Sequence, residues 1–125
     1  MKQVDDKSVD LIYIDPPYCT GRDFYHFDDR FTSSADYREL LMRPLLQECY
    51  RILSDVGNIV VHVEPKVSHH IRIVLDEIFG EKRFKNEVVW VSGGNHKSKK
   101  QLQRNHDSII TVSYTHLRAH ETRHD

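Results

Sequence analysis

The sequence predicts an α/β fold with a largely parallel sheet, and three observations predict it. Val9 to Ile14 is an apolar run broken only by Asp10, as a strand covered on both faces would be. Helical stripes stand at Tyr37, Leu41, Leu45, Cys49 and Ile52, and again at Ile71, Val74, Leu75 and Ile78. Two further apolar runs, Ile59 to Val63 and Phe84 to Val91, alternate with those stripes.

Each element has a physical start and stop. Asp15-Pro16-Pro17 ends the first strand, because proline fixes φ and offers no N–H. Cys19 to Ser34 is polar and aromatic without a period, which reads as a long active-site loop. The first helix spans Ala35 to Leu53. Pro44 should kink or divide it, since an interior proline costs about 3 kcal/mol. Asp55-Val56-Gly57-Asn58 reads as a turn before the second strand. Ser68 to Phe79 forms the second helix, with Gly80 as its stop. Ser92 to Asn105, rich in glycine and lysine, is a loop, and Ser108 to Thr111 begins a fourth strand.

Composition narrows the partners. A chain of 125 residues suits one domain at most. Its net charge of −1 gives no domain-wide basic field, so any contact with nucleic acid must be local. Cys19 and Cys49 have neither metal-site nor disulfide spacing, which fits a reducing cytoplasm. No apolar run approaches the roughly 20 residues of a membrane span, and no signal peptide opens the chain. The expectation is a cytoplasmic protein without a membrane partner.

Asp15-Pro16-Pro17-Tyr18 carries the chemistry. In open α/β sheets, ligands sit outside the carboxyl ends of the strands, where Asp15 falls. Its carboxylate and the Pro16 carbonyl can each accept an N–H from an amino-bearing base. Two such bonds draw the delocalised amino lone pair towards a tetrahedral, nucleophilic geometry, and bonds to a carboxylate are the stronger kind. The prolines stiffen the backbone that presents these acceptors. Tyr18 can stack on the ring, a contact worth about 1–3 kcal/mol per base in single-strand binders. A base in a duplex must leave the stack to reach such a site. A strand ending in aspartate also occurs in ATPases, but no GxxxxGK[ST] phosphate loop accompanies it here.

The surroundings extend the motif. Ser8 to Tyr18, Thr20-Gly21, Phe27-Asp28-Asp29-Arg30-Phe31, Val61-His62-Val63, Leu75 to Gly80 and Asn105-His106-Asp107 follow in one order. In that order they resemble the amino-methylating DNA methyltransferases, in particular the modification enzymes of bacterial restriction–modification systems. The resemblance implies a partial Rossmann-like, S-adenosylmethionine-dependent methyltransferase fold, with Asp15, Pro16, Pro17 and Tyr18 catalytic. It implies S-adenosylmethionine as cofactor, and double-stranded DNA and a restriction subunit as partners. Aspartate rather than serine at the motif's first position favours the N6-amino group of adenine. Methyltransferases of N4-cytosine, RNA bases or protein glutamine use a similar tetrapeptide, and a non-enzymatic α/β binding module is the rival of a different class.

Some features depart from the family or stay open. Cys19 stands where the family usually has asparagine, and no glycine here belongs to the FxGxG loop that grips the methionine part of the cofactor. Val112 to Thr122 resembles a translated transposase-type sequencing adapter, with Arg123, His124 and Asp125 supplied by a barcode. The expectation is an incomplete catalytic half over 1–111 and a non-native, poorly packed tail over 112–125. Lys97, Lys99, Lys100 and Arg104 could contact phosphates or form a solvated face. Phe24, Tyr25, Phe27 and Phe31 could shape a pocket or pin their loop. His106-Asp107 is expected to make local structural hydrogen bonds. His69-His70 reads as neighbours pointing apart at a helix start, without metal.

Overall fold

The computed structural model describes residues 3–16, 33–93, 100, 102 and 105–114. Strand β1 (Val9–Ile14) leads to a helical run, then β2 (Leu53–Val63), helix α3 (Pro65–Phe79), β3 (Phe84–Val91) and β4 (His106–Ser113). The sheet order is β1-β2-β4-β3. β1 pairs with β2 in parallel, while β4 is antiparallel to both β2 and β3.

That arrangement meets the expectation of a mostly parallel sheet only in part. β1, β2 and β3 share one direction, but β4 is inserted between β2 and β3 in reverse. Parallel pairing needs a crossover, usually a helix. The sequence between β3 and β4 carries no helical period, and Ser92 N–H donates to the Asn105 carbonyl at 2.7 Å, continuing the antiparallel ladder.

Pro44 divides the first helical run. Ser33 caps a single α turn, α1 (Ser34–Asp36), by accepting from the Asp36 N–H at 3.1 Å. A π-helical segment (Tyr37–Met42) follows, and Arg43 N–H donates to the Arg38 carbonyl five residues back. The chain then resumes as α2 (Arg43–Ile52), with Pro44 in its first turn just after the π segment. The wider turn rotates the stripe by one position. Met42 and Leu46 are fully buried, and the expected Leu41 and Leu45 are only partly so.

Other boundaries also moved. α3 begins at Pro65 rather than Ser68, because proline at the first helical position has its φ preset. It ends at Gly80, whose φ of +97° suits glycine. The turn read at Asp55 to Asn58 lies inside β2. Its looping survives as a bulge, since Val9 pairs with Leu53 while Leu11 pairs with Asn58.

α2 and α3 cover one face of the sheet. Ile59, Val61 and Val63 are buried there and alternate with half-buried Asn58, Val60 and His62. Ile71, Val74 and Leu75 of α3 and Ile110 and Val112 of β4 complete this core. β4 therefore runs past the expected boundary at Thr111. Val112 is only 2 % exposed, and Tyr114 packs edge-on to Tyr50, so residues 112–114 are packed, contrary to expectation. Their alternation simply continues the period of β4. Residues 115–125 lie outside the described ones. On the opposite sheet face, Leu11, Tyr13, Val88 and Trp90 are exposed.

Candidate active site

The carboxyl ends of β1, β2 and β3 and the amino end of β4 form one edge of the sheet. Asp15 and Pro16 leave β1 at this edge, just past the Ile14–Val61 pair. Asp15 is exposed and Pro16 is buried. The carboxylate thus faces solvent from a backbone anchored one residue later, which suits an acceptor held ready for an N–H donor. Pro17 and Tyr18 lie outside the described residues, so the stacking role assigned to Tyr18 does too. So do Cys19, Phe24, Tyr25, Phe27 and Phe31.

Three residues that motif reasoning did not assign to the site share its edge. His62 lies one residue before the end of β2, Glu64 follows β2 directly, and Asp107 is the second residue of β4. His62 Nε2 lies 3.1 Å from Asp107 Oδ2, and the Tyr13 hydroxyl lies 3.3 Å from His62 Nδ1. Asp107 therefore bonds across the sheet rather than locally, contrary to expectation, because strand pairing sets His62 opposite Ile109. A lone histidine in the apolar strand Ile59–Val63 was the available signal. Glu64 is wholly buried just beyond β2, at the N-cap of α3.

The remaining candidates scatter. Lys100 is exposed, while Lys97, Lys99 and Arg104 lie outside the described residues. His69 and His70 sit within α3 rather than at its start, and their rings approach to 4.1 Å instead of diverging. Arg38 Nη1 donates to His70 Nδ1 at 2.8 Å, and burial holds His70 below the usual histidine range, with the charges of His69 and Arg38 adding to that effect. Among the described residues no cluster could hold a metal ion. A cavity of 630 Å³ opens at the opposite edge of the sheet, between Tyr50, Phe79, Arg83 and Tyr114. Two cations on its rim, Lys7 and Arg51, are paired with Asp55 and Asp6, so it offers less chemistry than the edge at Asp15. Among the described residues no helix is long and apolar enough to cross a membrane.

The chain is 32% identical over 111 residues to the type II methyltransferase M.KpnI of Klebsiella pneumoniae, covering 83% of this chain and 27% of that protein. It is 28% identical over 128 residues to the Mod subunit of the type III restriction-modification enzyme StyLTI of Salmonella typhimurium, covering 82% of this chain and 19% of the subunit. The chain thus spans between about a fifth and a quarter of the length of these curated relatives. The structure of a DNA modification methylase from Thermus thermophilus, complexed with S-adenosyl-L-methionine, aligns with a TM-score of 0.62 at 17% identity. That alignment covers 92% of this chain and 49% of the other, and it shows a shared fold. A family model described as DNA methylase, for N6 and N4 methyltransferases, matches residues 9–121, from the first residue of β1 to beyond β4. The strand that ends in Asp15 and the sheet built around it belong to the S-adenosylmethionine-dependent N6/N4 DNA methylase family.

Proposed function

We propose that this chain is the base-holding part of a DNA methyltransferase that moves a methyl group from S-adenosylmethionine to the N6-amino group of a flipped-out adenine. The observation that carries the reading is Asp15, exposed at the carboxyl end of β1 beside a buried Pro16, within Asp-Pro-Pro-Tyr. Asp15 and the Pro16 carbonyl accept hydrogen bonds from the two amino N–H groups, Tyr18 stacks on the ring, and Lys97, Lys99, Lys100 and Arg104 meet phosphates. S-adenosylmethionine, when bound, would supply the electrophilic methyl carbon. Orientation then contributes much of the rate, since effective molarities can reach about 10⁵ M or more. The relation to a Mod subunit supports a restriction subunit as partner. Because no FxGxG loop is present, the chain by itself transfers no methyl group.

The test expresses the complete reading frame from the source genome, as wild type and as Asp15→Ala, and measures methylated bases by mass spectrometry. N6-methyladenine that vanishes in the variant is the expected result, with DNA affinity largely kept. N4-methylcytosine would replace the adenine assignment while leaving the family intact. Wild-type methylation by Asp15→Ala would overturn the site.

A further inference from the structure

Three side chains outside the proline motif are joined across the open face of the sheet. Tyr13 on β1, His62 on β2 and Asp107 on β4 come from three neighbouring strands, at the edge where Asp15 stands. An imidazole between a hydroxyl and a carboxylate satisfies both in one arrangement. Nε2–H donates to Asp107 across 3.1 Å, and Nδ1 accepts from the Tyr13 hydroxyl across 3.3 Å. The carboxylate therefore selects the tautomer, and the tautomer orients the tyrosine.

The placement gives the chain of bonds a purpose. β1 has β2 as its single strand neighbour among the described residues, and its last pair is Ile14 with Val61. Helices press on the other face of the sheet. On the open face, Tyr13 reaches over β2 and is tied through His62 to β4, two residues before Asp15. We infer that Tyr13, His62 and Asp107 form a clamp that fixes the height and direction of Asp15. They are positioning residues, and the purpose of the clamp rests on the methyltransferase reading although its geometry does not. Orientation of this kind matters because a misplacement of about 1 Å can cost roughly a hundredfold in rate.

The full chain suffices for the test, by nuclear magnetic resonance. The expected arrangement at His62 has Nε2 carrying a proton towards Asp107 and Nδ1 accepting from Tyr13. Tyr13→Phe removes one hydroxyl and should speed exchange of the protected amides of Leu11 to Ile14 about fivefold, the factor of one net hydrogen bond. The Asp15 carboxyl resonance should move with it, while the amides of Val74 and Leu75 in α3 keep their protection. His62→Gln retains a donor for Asp107 and should fall between wild type and Asp107→Asn. If Asp107→Asn fails to fold, Tyr13→Phe still decides the matter. An Nδ1–H tautomer at His62 would overturn the clamp, as would unchanged exchange and an unmoved Asp15 resonance in Tyr13→Phe. None of these readouts involves methyl transfer, so the clamp and the methyltransferase assignment can fail separately.

Discussion

Gly57→Ala probes how the register that places Asp15 is built. β1 advances from Val9 to Leu11 while β2 advances from Leu53 to Asn58, and the surplus is taken up in a bulge that contains Gly57. A Cβ at this position would stand 2.6 Å from both Cγ and Cδ1 of Leu53, and 3.1 Å from the Ser54 carbonyl oxygen. Carbon atoms prefer a separation of about 3.5–4.0 Å, so something must move by roughly 1 Å. Leu53 is 1 % exposed and cannot swing into solvent. Overpacking of this kind costs about 1–3 kcal/mol. For a chain of 125 residues, that lowers Tm by about 4 °C per kcal/mol. Urea unfolding followed through Trp90 fluorescence measures the loss. Leu53→Ala removes the colliding atoms at its own cavity cost of about 2–5 kcal/mol. In that background Gly57→Ala should cost less, with a coupling of about 0.5–3 kcal/mol. Gly80→Ala provides the contrast. Nothing stands within 4 Å of its added Cβ, but φ is +97°, so its cost of about 1–3 kcal/mol is backbone strain that no truncated neighbour relieves. An equal penalty for Gly57→Ala with and without Leu53 would refute the collision argument.

Truncation after Thr111 removes Val112 from between Ile59 and Phe84 together with Ser113 and Tyr114, and should cost at least the roughly 1.5–3 kcal/mol of burying one such side chain, whereas truncation after Tyr114 should leave the unfolding midpoint unchanged. Direct amplification from untagmented genomic DNA checks the origin of the tail, and recovery of Val112 to Thr122 there would sink the adapter reading. His70 resists protonation when folded, so unfolded chains take up the proton first and stability falls as pH drops below about 6.5, levelling once the folded pKa is passed. Thermal melts at two pH values should show His70→Gln flattening that slope, and parallel wild-type and variant curves would exclude His70 as its source. Burial pushes the Cys49 thiol up to about 11, so it should resist alkylation at pH 8 until the chain unfolds, and rapid labelling of the native protein would contradict its burial.

Local chemistry was legible in the sequence wherever one residue dominates its own backbone. β1 and β3 fall at the expected residues, Gly80 stops α3, and Asp15 stands at a strand end. The alternation of strands and helices was sufficient for the fold class. Boundaries failed where two local rules competed. Pro44 divided its helical run as read, but Pro65 fell outside the expected helix and yet sits at its start, where its fixed φ helps. The π turn before Pro44 then shifted the buried face from Leu41 and Leu45 to Met42 and Leu46, a rotation that α periodicity could not foresee.

By itself the sequence determined the family, the acidic strand end and the rough order of elements, because each follows from neighbours along the chain. Only the tertiary structure decided that β4 enters in reverse between β2 and β3. Only it brought His62 to Asp107 and Tyr13 to His62, pairs separated by 45 and 49 positions. Strand order and cross-strand pairs depend on how the whole sheet shares its hydrogen bonds and covers one face, and no local window of sequence records that competition.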